Sequence, residues 1–207
     1  KKWTPLRRKA LQRAEQWLLE HLKGSDGLGA IYPAMMNSIV ALDCLGYDRE
    51  SPLFRRELAE FWRLAIEEPD TVRMQPCFSP LWDTALAIFA ASGALAYAPG
   101  VPPAAALTAL ERAAEWLISK QILVSGDWAV KSPGVEPGGW CFEFANDPYP
   151  DVDDSAMALL ALSRVCVADA ARQRAAMRRV LDWVLSMQNT DGGWASFDKD
   201  NNKTLLC

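Results

Sequence analysis

The sequence predicts an all-α protein of the α/α-toroid (α-α barrel) class, in which outer and inner helices alternate. Three observations predict it. Trp17, Trp62, Trp116 and Trp183 each stand in an apolar pattern of helical period with Glu, Gln, Asp or Arg on the other side. Between them run segments that are apolar nearly all round, each opening beside a proline: residues 33–42, 80–89 and 150–159. Gly-rich turns link the two kinds, in a recurring Gln…Gly-x-Trp pattern.

The outer segments come first in each repeat. The one around Trp17 leads into the turn Gly24-Ser25-Asp26-Gly27-Leu28-Gly29, a degenerate copy with Leu28 in the tryptophan place. Trp116 is followed by Gln121 and Gly126-Asp127-Trp128, and Trp183 by Gln188 and Asp191-Gly192-Gly193-Trp194. Their amphipathic pattern predicts outer helices. The proline-opened segments predict inner, buried helices, because an all-round apolar helix needs cover and proline suits a first helical turn. Two long connections, residues 67–80 and 124–150, stand out as functional candidates. Three repeats make an open partial ring with apolar edges. Residues 1–207 therefore read as one partial toroid domain, a fragment lacking parts at both ends.

Composition narrows the function. Half of the 207 residues are hydrophobic, the net charge is −4, and no basic stripe appears, which argues against nucleic acid. No apolar run reaches the ~18–20 residues of a membrane span. Cys44, Cys77, Cys141, Cys166 and Cys207 contain no CxxC pair, and His21 is the one histidine, read as a surface helix residue, so no metal site is expected. Scattered thiols suit a reducing compartment. Asp198-Lys199-Asp200-Asn201-Asn202 resembles the start of a calcium loop but lacks its central Gly and terminal Glu. No cofactor is expected.

The chemistry concentrates at Asp151, Asp153 and Asp154, directly after Pro150 and before the apolar run 155–162. A lone aspartate there reads as a helix N-cap. Three in four positions, behind Gly138-Gly139-Trp140-Cys141-Phe142-Glu143-Phe144, argue for more. Crowded carboxylates repel, so one tends to keep its proton; the helix N-terminus acts the other way. A retained proton beside aromatic rings is what protonating an isolated C=C bond requires. Asp153, flanked by the other two, is the natural donor. Aligned on the helix-opening prolines, Asp83 falls opposite Asp153. Trp82, Phe142 and Phe197 are candidates for stabilising a carbocation, each worth roughly 0.5–2 kcal/mol; core packing is the alternative for any such ring.

The Gln…Gly-x-Trp repeats, Asp151-Val152-Asp153-Asp154, Ser79-Pro80-Leu81-Trp82-Asp83-Thr84 and Gly126-Asp127-Trp128-Ala129-Val130-Lys131 together resemble the squalene–hopene cyclase family of class II triterpene cyclases. The resemblance covers essentially the whole chain and the middle third of a typical member. It implies protonation-initiated cyclisation of squalene to hopene, with hopanol as a side product. It implies Asp153 as proton donor, Asp83 in the surrounding charge network, and Trp82 and Phe142 in the pocket. Phe197 stands where the family pattern has Tyr, so the ring is kept and the hydroxyl lost. Ile31, Tyr32 and Pro33 fall where the family shapes the far end of the cavity. Gln121 and Gln188 are implied to cap outer helices, with Trp116, Trp128, Trp183 and Trp194 stacking on them. The family is monotopic, on the cytoplasmic side of the cell membrane. The basic segment 1–11, with Trp3, Leu6 and Leu11, corresponds to its membrane-facing region, an ordinary solvated helix end being the other reading. A homodimer is compatible with the resemblance. In the family a histidine beyond the acidic motif contacts the acid; none follows it here, so the fragment alone is expected to be inactive. Two other readings stay open: a cyclase for another polyprenoid or oxidosqualene, and a non-catalytic toroid binding module like protein prenyltransferase β-subunits, whose zinc ligands this sequence lacks.

Overall fold

A computed structural model describes residues 4–97, 100 and 103–201; Trp3 and the tail from residue 202 lie outside them. The chain divides into two compact units, Lys1–Phe78 and Ser79–Cys207, where the sequence suggests one partial domain. The described residues form seven α-helices and one two-stranded hairpin.

In the first unit, α1 (Pro5–His21) and α3 (Pro52–Trp62) are outer-type helices and α2 (Tyr32–Leu45) is the apolar one between them. Each outer helix starts as its sequence dictates. Thr4 Oγ1 accepts the Arg7 N–H, Ser51 Oγ accepts the Phe54 N–H, and a proline follows each cap. α2 stops at Gly46, whose φ of 87° other residues rarely adopt. Leu18, Leu22, Leu42 and Phe54 close the core of this unit. The connection read at 67–80 holds an unforeseen hairpin. β1 (Ala65–Glu68) pairs antiparallel with β2 (Thr71–Met74) across a Pro69-Asp70 turn. The Tyr32 N–H then donates to Pro76 O at 2.8 Å, tying the next segment to the start of α2.

In the second unit, α4 (Pro80–Tyr97) packs on both α5 (Ala104–Ser119) and α6 (Val152–Leu162), and α6 packs on α7 (Ala170–Ser186). Leu81, Ala85, Ile88, Leu117, Trp140, Ala158, Leu162 and Val180 form the main core. A second cluster joins Trp128, Val152, Trp183 and Met187, with the two indoles edge to face at 5.8 Å.

Four expectations are corrected. The inner helices are not covered all round: Met36 and Val40 of α2, Leu86 of α4 and Leu160 of α6 are exposed, because each helix has neighbours in its unit on only part of its circumference. His21 is buried, not superficial. Its position four residues after Trp17 stacks the two rings at 4.1 Å and brings Nδ1 to Trp17 O at 2.8 Å. Gln121 bridges rather than caps: Nε2 donates to Gly138 O at 2.7 Å and to mid-helix Ala176 O at 2.9 Å, and Oε1 accepts from Arg179. Gln188 bonds locally, to Gly192 O. The glutamine that does finish a helix is Gln173. Its amide donates to Leu162 O and Val165 O at the end of α6 and accepts the Val167 N–H.

Candidate active site

The three aspartates stand at the N-terminus of α6 because Asp151 itself caps it. Its Oδ1 accepts the Asp154 N–H at 2.8 Å, so the cap reading and the cluster reading are both true. Ligating oxygens of Asp151, Asp153 and Asp154 lie within 4.8 Å of one another. Burial divides them. Asp151 is 3% exposed and Asp154 2%, whereas Asp153 faces outward.

The stretch before them is locked in place by backbone groups. Trp140 and Asp151 form an antiparallel bridge, with the Asp151 N–H on Trp140 O at 2.9 Å. Buried Ser155 staples it: its Oγ accepts the Trp140 N–H at 2.8 Å and donates to Asp151 O at 2.5 Å. Trp140 has no exposed surface, and its Nε1–H donates to Leu117 O at 2.7 Å. The glycine pair is required by packing. A Cβ on Gly138 would lie 2.8 Å from the Arg179 backbone, and one on Gly139 would lie 2.9–3.0 Å from Pro150, Ser155 and Trp183. Beyond the triad, Ser196 O accepts the Val152 N–H at 2.9 Å, so the segment carrying Phe197 is tied to the same helix end.

The electrostatics follow burial. Desolvation, then the nearby Asp154 charge, pushes Asp151 up to about 9. Desolvation also pushes Asp154 up, to about 6, against the hydrogen bond from Asp151 and helped by the Asp153 charge. Both buried carboxyls are pushed above the ordinary carboxylate range, Asp151 further than Asp154. The sequence places this upward pressure on Asp153; the structure places it on Asp151 and Asp154, because those two carboxyls are the ones removed from water. A stability prediction follows. An unfolded aspartate titrates near 3.9, so between about pH 4 and pH 9 the folded chain binds more protons and loses stability as pH rises. Asp151→Asn keeps a capping oxygen and removes the titration. It should flatten that decline by up to ~1.4 kcal/mol per pH unit in urea denaturation series. An unchanged slope would mean that the pair is ionised when folded.

The other candidates are placed as follows. Asp83 lies in the first turn of α4, exposed, accepting the Ser79 hydroxyl at 2.8 Å. With Thr84, Ala87, Ile88, Ala91 and Leu110 it lines an apolar cavity of about 670 Å³. Trp82 and Phe142 are half-buried, and Phe197 is 52% exposed with Tyr149 edge-on at 6.5 Å. Ile31, Tyr32 and Pro33 belong to the first unit, where the Tyr32 ring meets Phe61 at 5.3 Å; the aspartates belong to the second. Cys141 is inert, its thiol pushed up to about 12 by burial and by the Glu143 charge. Sequence reasoning gave no role to Trp140, Ser155 or Tyr149. The apolar period could not reveal them, since their roles are hydrogen bonds and ring contacts across the fold.

This arrangement can hold a proton away from water at a helix end whose third carboxyl remains accessible. The family described as "Squalene-hopene cyclase C-terminal domain" matches residues 78–207, and its N-terminal counterpart matches residues 1–70. The chain belongs to the squalene–hopene cyclase family. It is 39% identical over 210 residues to the squalene–hopene cyclase of Zymomonas mobilis, covering 97% of this chain and 31% of that protein. It is 38% identical over 202 residues to that of Alicyclobacillus acidocaldarius, with coverage of 97% and 31%. It is 40% identical over 200 residues to a dammaradiene synthase of Dryopteris crassirhizoma, with 97% and 28%. The chain thus spans under a third of the length of these relatives. The α/α-toroid class follows from the family. Among the described residues, no helix is long and apolar enough to cross a membrane.

Proposed function

We propose that this chain is the central part of a class II triterpene cyclase that converts squalene to hopene. One observation carries the reading: three carboxylates meet at one helix end, two of them buried and the third, Asp153, exposed. Asp151 and Asp154 sit behind the helix end and cannot reach an alkene. Asp153 can. Its O–H proton passes to the terminal C=C, whose π electrons form the new C–H bond and leave a tertiary cation. Neighbouring alkenes close rings in turn. The last cation loses a proton to give hopene, or takes up water to give hopanol as a side product.

Trp82, Phe142 and Phe197 offer ring faces to the moving charge and no nucleophile. Asp83, at the rim of the apolar cavity, belongs to the charge balance around the acid. The wall that keeps Asp153 dry comes from the length of the relatives that this chain does not span, so the chain alone is inactive. Exposed Arg7, Arg8 and Lys9 on α1, beside exposed Leu6, suit a monotopic contact with an anionic membrane on the cytoplasmic side.

Product analysis tests this. Full-length protein incubated with squalene should give pentacyclic hydrocarbon with the mass of squalene. Turnover of oxidosqualene alone would redirect the assignment, and no turnover of any polyprenoid would refute it.

A further inference from the structure

We propose that Tyr149 is a positioning residue that orients the Phe197 ring and thereby sets how far ring closure runs. This rests on the reading of Phe197 as a ring that stabilises positive charge.

Phe197 has two anchors. The first is backbone: Ser196 O accepts the Val152 N–H at the head of the acid helix. That bond fixes where the residue is and leaves its side chain free to rotate, since half of it is exposed. The second anchor is Tyr149, whose ring meets Phe197 at 6.5 Å between centroids and 87° between planes. An edge-to-face contact of this kind favours one ring orientation by about two- to tenfold.

Tyr149 is itself held from three sides. Its N–H donates to Asn146 O at 2.9 Å, and Pro148 and Pro150 restrict the backbone on either side. Its hydroxyl donates to Asp127 Oδ2 at 3.4 Å. Asp127 opens the short 3₁₀ turn Asp127–Val130, whose Trp128 is buried edge-on against Trp183. Gly126 makes the approach of the two loops feasible, because a Cβ there would stand 2.2 Å from Pro148 O. Support therefore runs from α7 through Trp128 and Asp127 to Tyr149, and ends at Phe197. Burial and the Asp127 charge push the Tyr149 hydroxyl well above the usual phenol range, so it stays protonated and keeps the bond. A phenol bonded to a carboxylate is also more electron-rich.

The consequence is chemical. Charge passes along the substrate as rings close, and a ring face in the right place stabilises it at one stage. If Phe197 turns away, the cation at that stage loses a proton. A C–H bond breaks, its electron pair becomes a C=C bond, the proton goes to solvent, and a less-cyclised alkene leaves.

The test uses full-length protein with squalene, reading product ratios by mass spectrometry. Tyr149→Leu should raise the share of incompletely cyclised alkenes at least fivefold and reproduce the product spectrum of Phe197→Leu. Tyr149→Phe keeps the ring and loses the Asp127 bond, so it should give a smaller shift in the same direction. Lower turnover with unchanged ratios in Tyr149→Leu would make the role merely structural and overturn the proposal. Should that variant fail to fold, unchanged ratios in both Tyr149→Phe and Asp127→Asn would overturn it equally. No turnover of squalene or any other polyprenoid by the unsubstituted full-length protein would instead remove the cyclase reading beneath it.

Discussion

Replacing Asp153 with Asn in the full-length protein is expected to lower squalene turnover by at least about a thousandfold, the scale of losing a positioned general acid. Asn has nearly the same shape and Asp151, not Asp153, caps the helix, so the loss is that of an acidic proton. Asp151 is the obvious rival, since burial and the Asp154 charge push it up furthest of the three. Two arguments count against it. It is 3% exposed and its carboxyl caps α6, so no alkene reaches it without unwinding the first turn. A carboxyl held up to about 9 is also a reluctant donor to so weak a base as an alkene. The pair serves better as a fixed charge behind Asp153. Asp153→Asn should leave the apparent KM for squalene nearly unchanged and act on kcat, because the side chain gives up a proton in the transition state and contributes little to holding hydrocarbon. Activity within tenfold of the parent would end the assignment. So would an inactive Asp151→Asn beside an active Asp153→Asn, which would transfer the role to Asp151.

The variant also probes the coupling. The Asp153 charge is one of the causes that raise both neighbours. With an amide in its place, both should titrate at somewhat lower pH, and desolvation, the larger cause, should keep them above an ordinary carboxylate.

The helices and the acidic cluster were legible in the sequence because each is a local pattern. Trp-centred amphipathic segments, helix-opening prolines and three aspartates in four positions can be read without knowing what packs on what. The hairpin at 65–74 was less visible: its strands are four residues each, and Pro69-Asp70 reads equally well as any turn. The exposure of Asp153 between two buried neighbours was not legible at all. Which of three adjacent carboxyls loses water depends on the Gly138–Trp140 stretch and Ser155 packing against one side of the helix end. His21 failed for a similar reason, since a stacked ring four residues earlier converts a surface position into a buried one. Gln121 and Gln173 show the limit of motif reading. The glutamine in the repeat bridges loop to helix, and a glutamine outside any repeat finishes the inner helix.

Trp140 gives the largest stability effect. Truncation to Ala should cost about 3–5 kcal/mol, the range for removing a buried indole. The indole is fully buried in the main core, between α5 and the acid helix. Its hydrogen bond is the lesser part. Leu117 O also accepts the Lys120 N–H at 3.0 Å, so losing the indole donor does not orphan that carbonyl, and the bond contributes only about 1 kcal/mol. Volume therefore decides the outcome. Trp140→Phe fills most of the space and should lose much less stability than Trp140→Ala in chemical denaturation; equal losses would put the hydrogen bond in charge instead. The same comparison bears on catalysis. The bonds from Trp140 to Asp151 and Ser155 are made by its backbone, so neither substitution deletes them directly. Only collapse of the stretch into the vacated volume can move the acid. Trp140→Phe should accordingly keep turnover within about tenfold, while Trp140→Ala should lose a hundredfold or more in kcat, the scale on which an ~1 Å misplacement is felt.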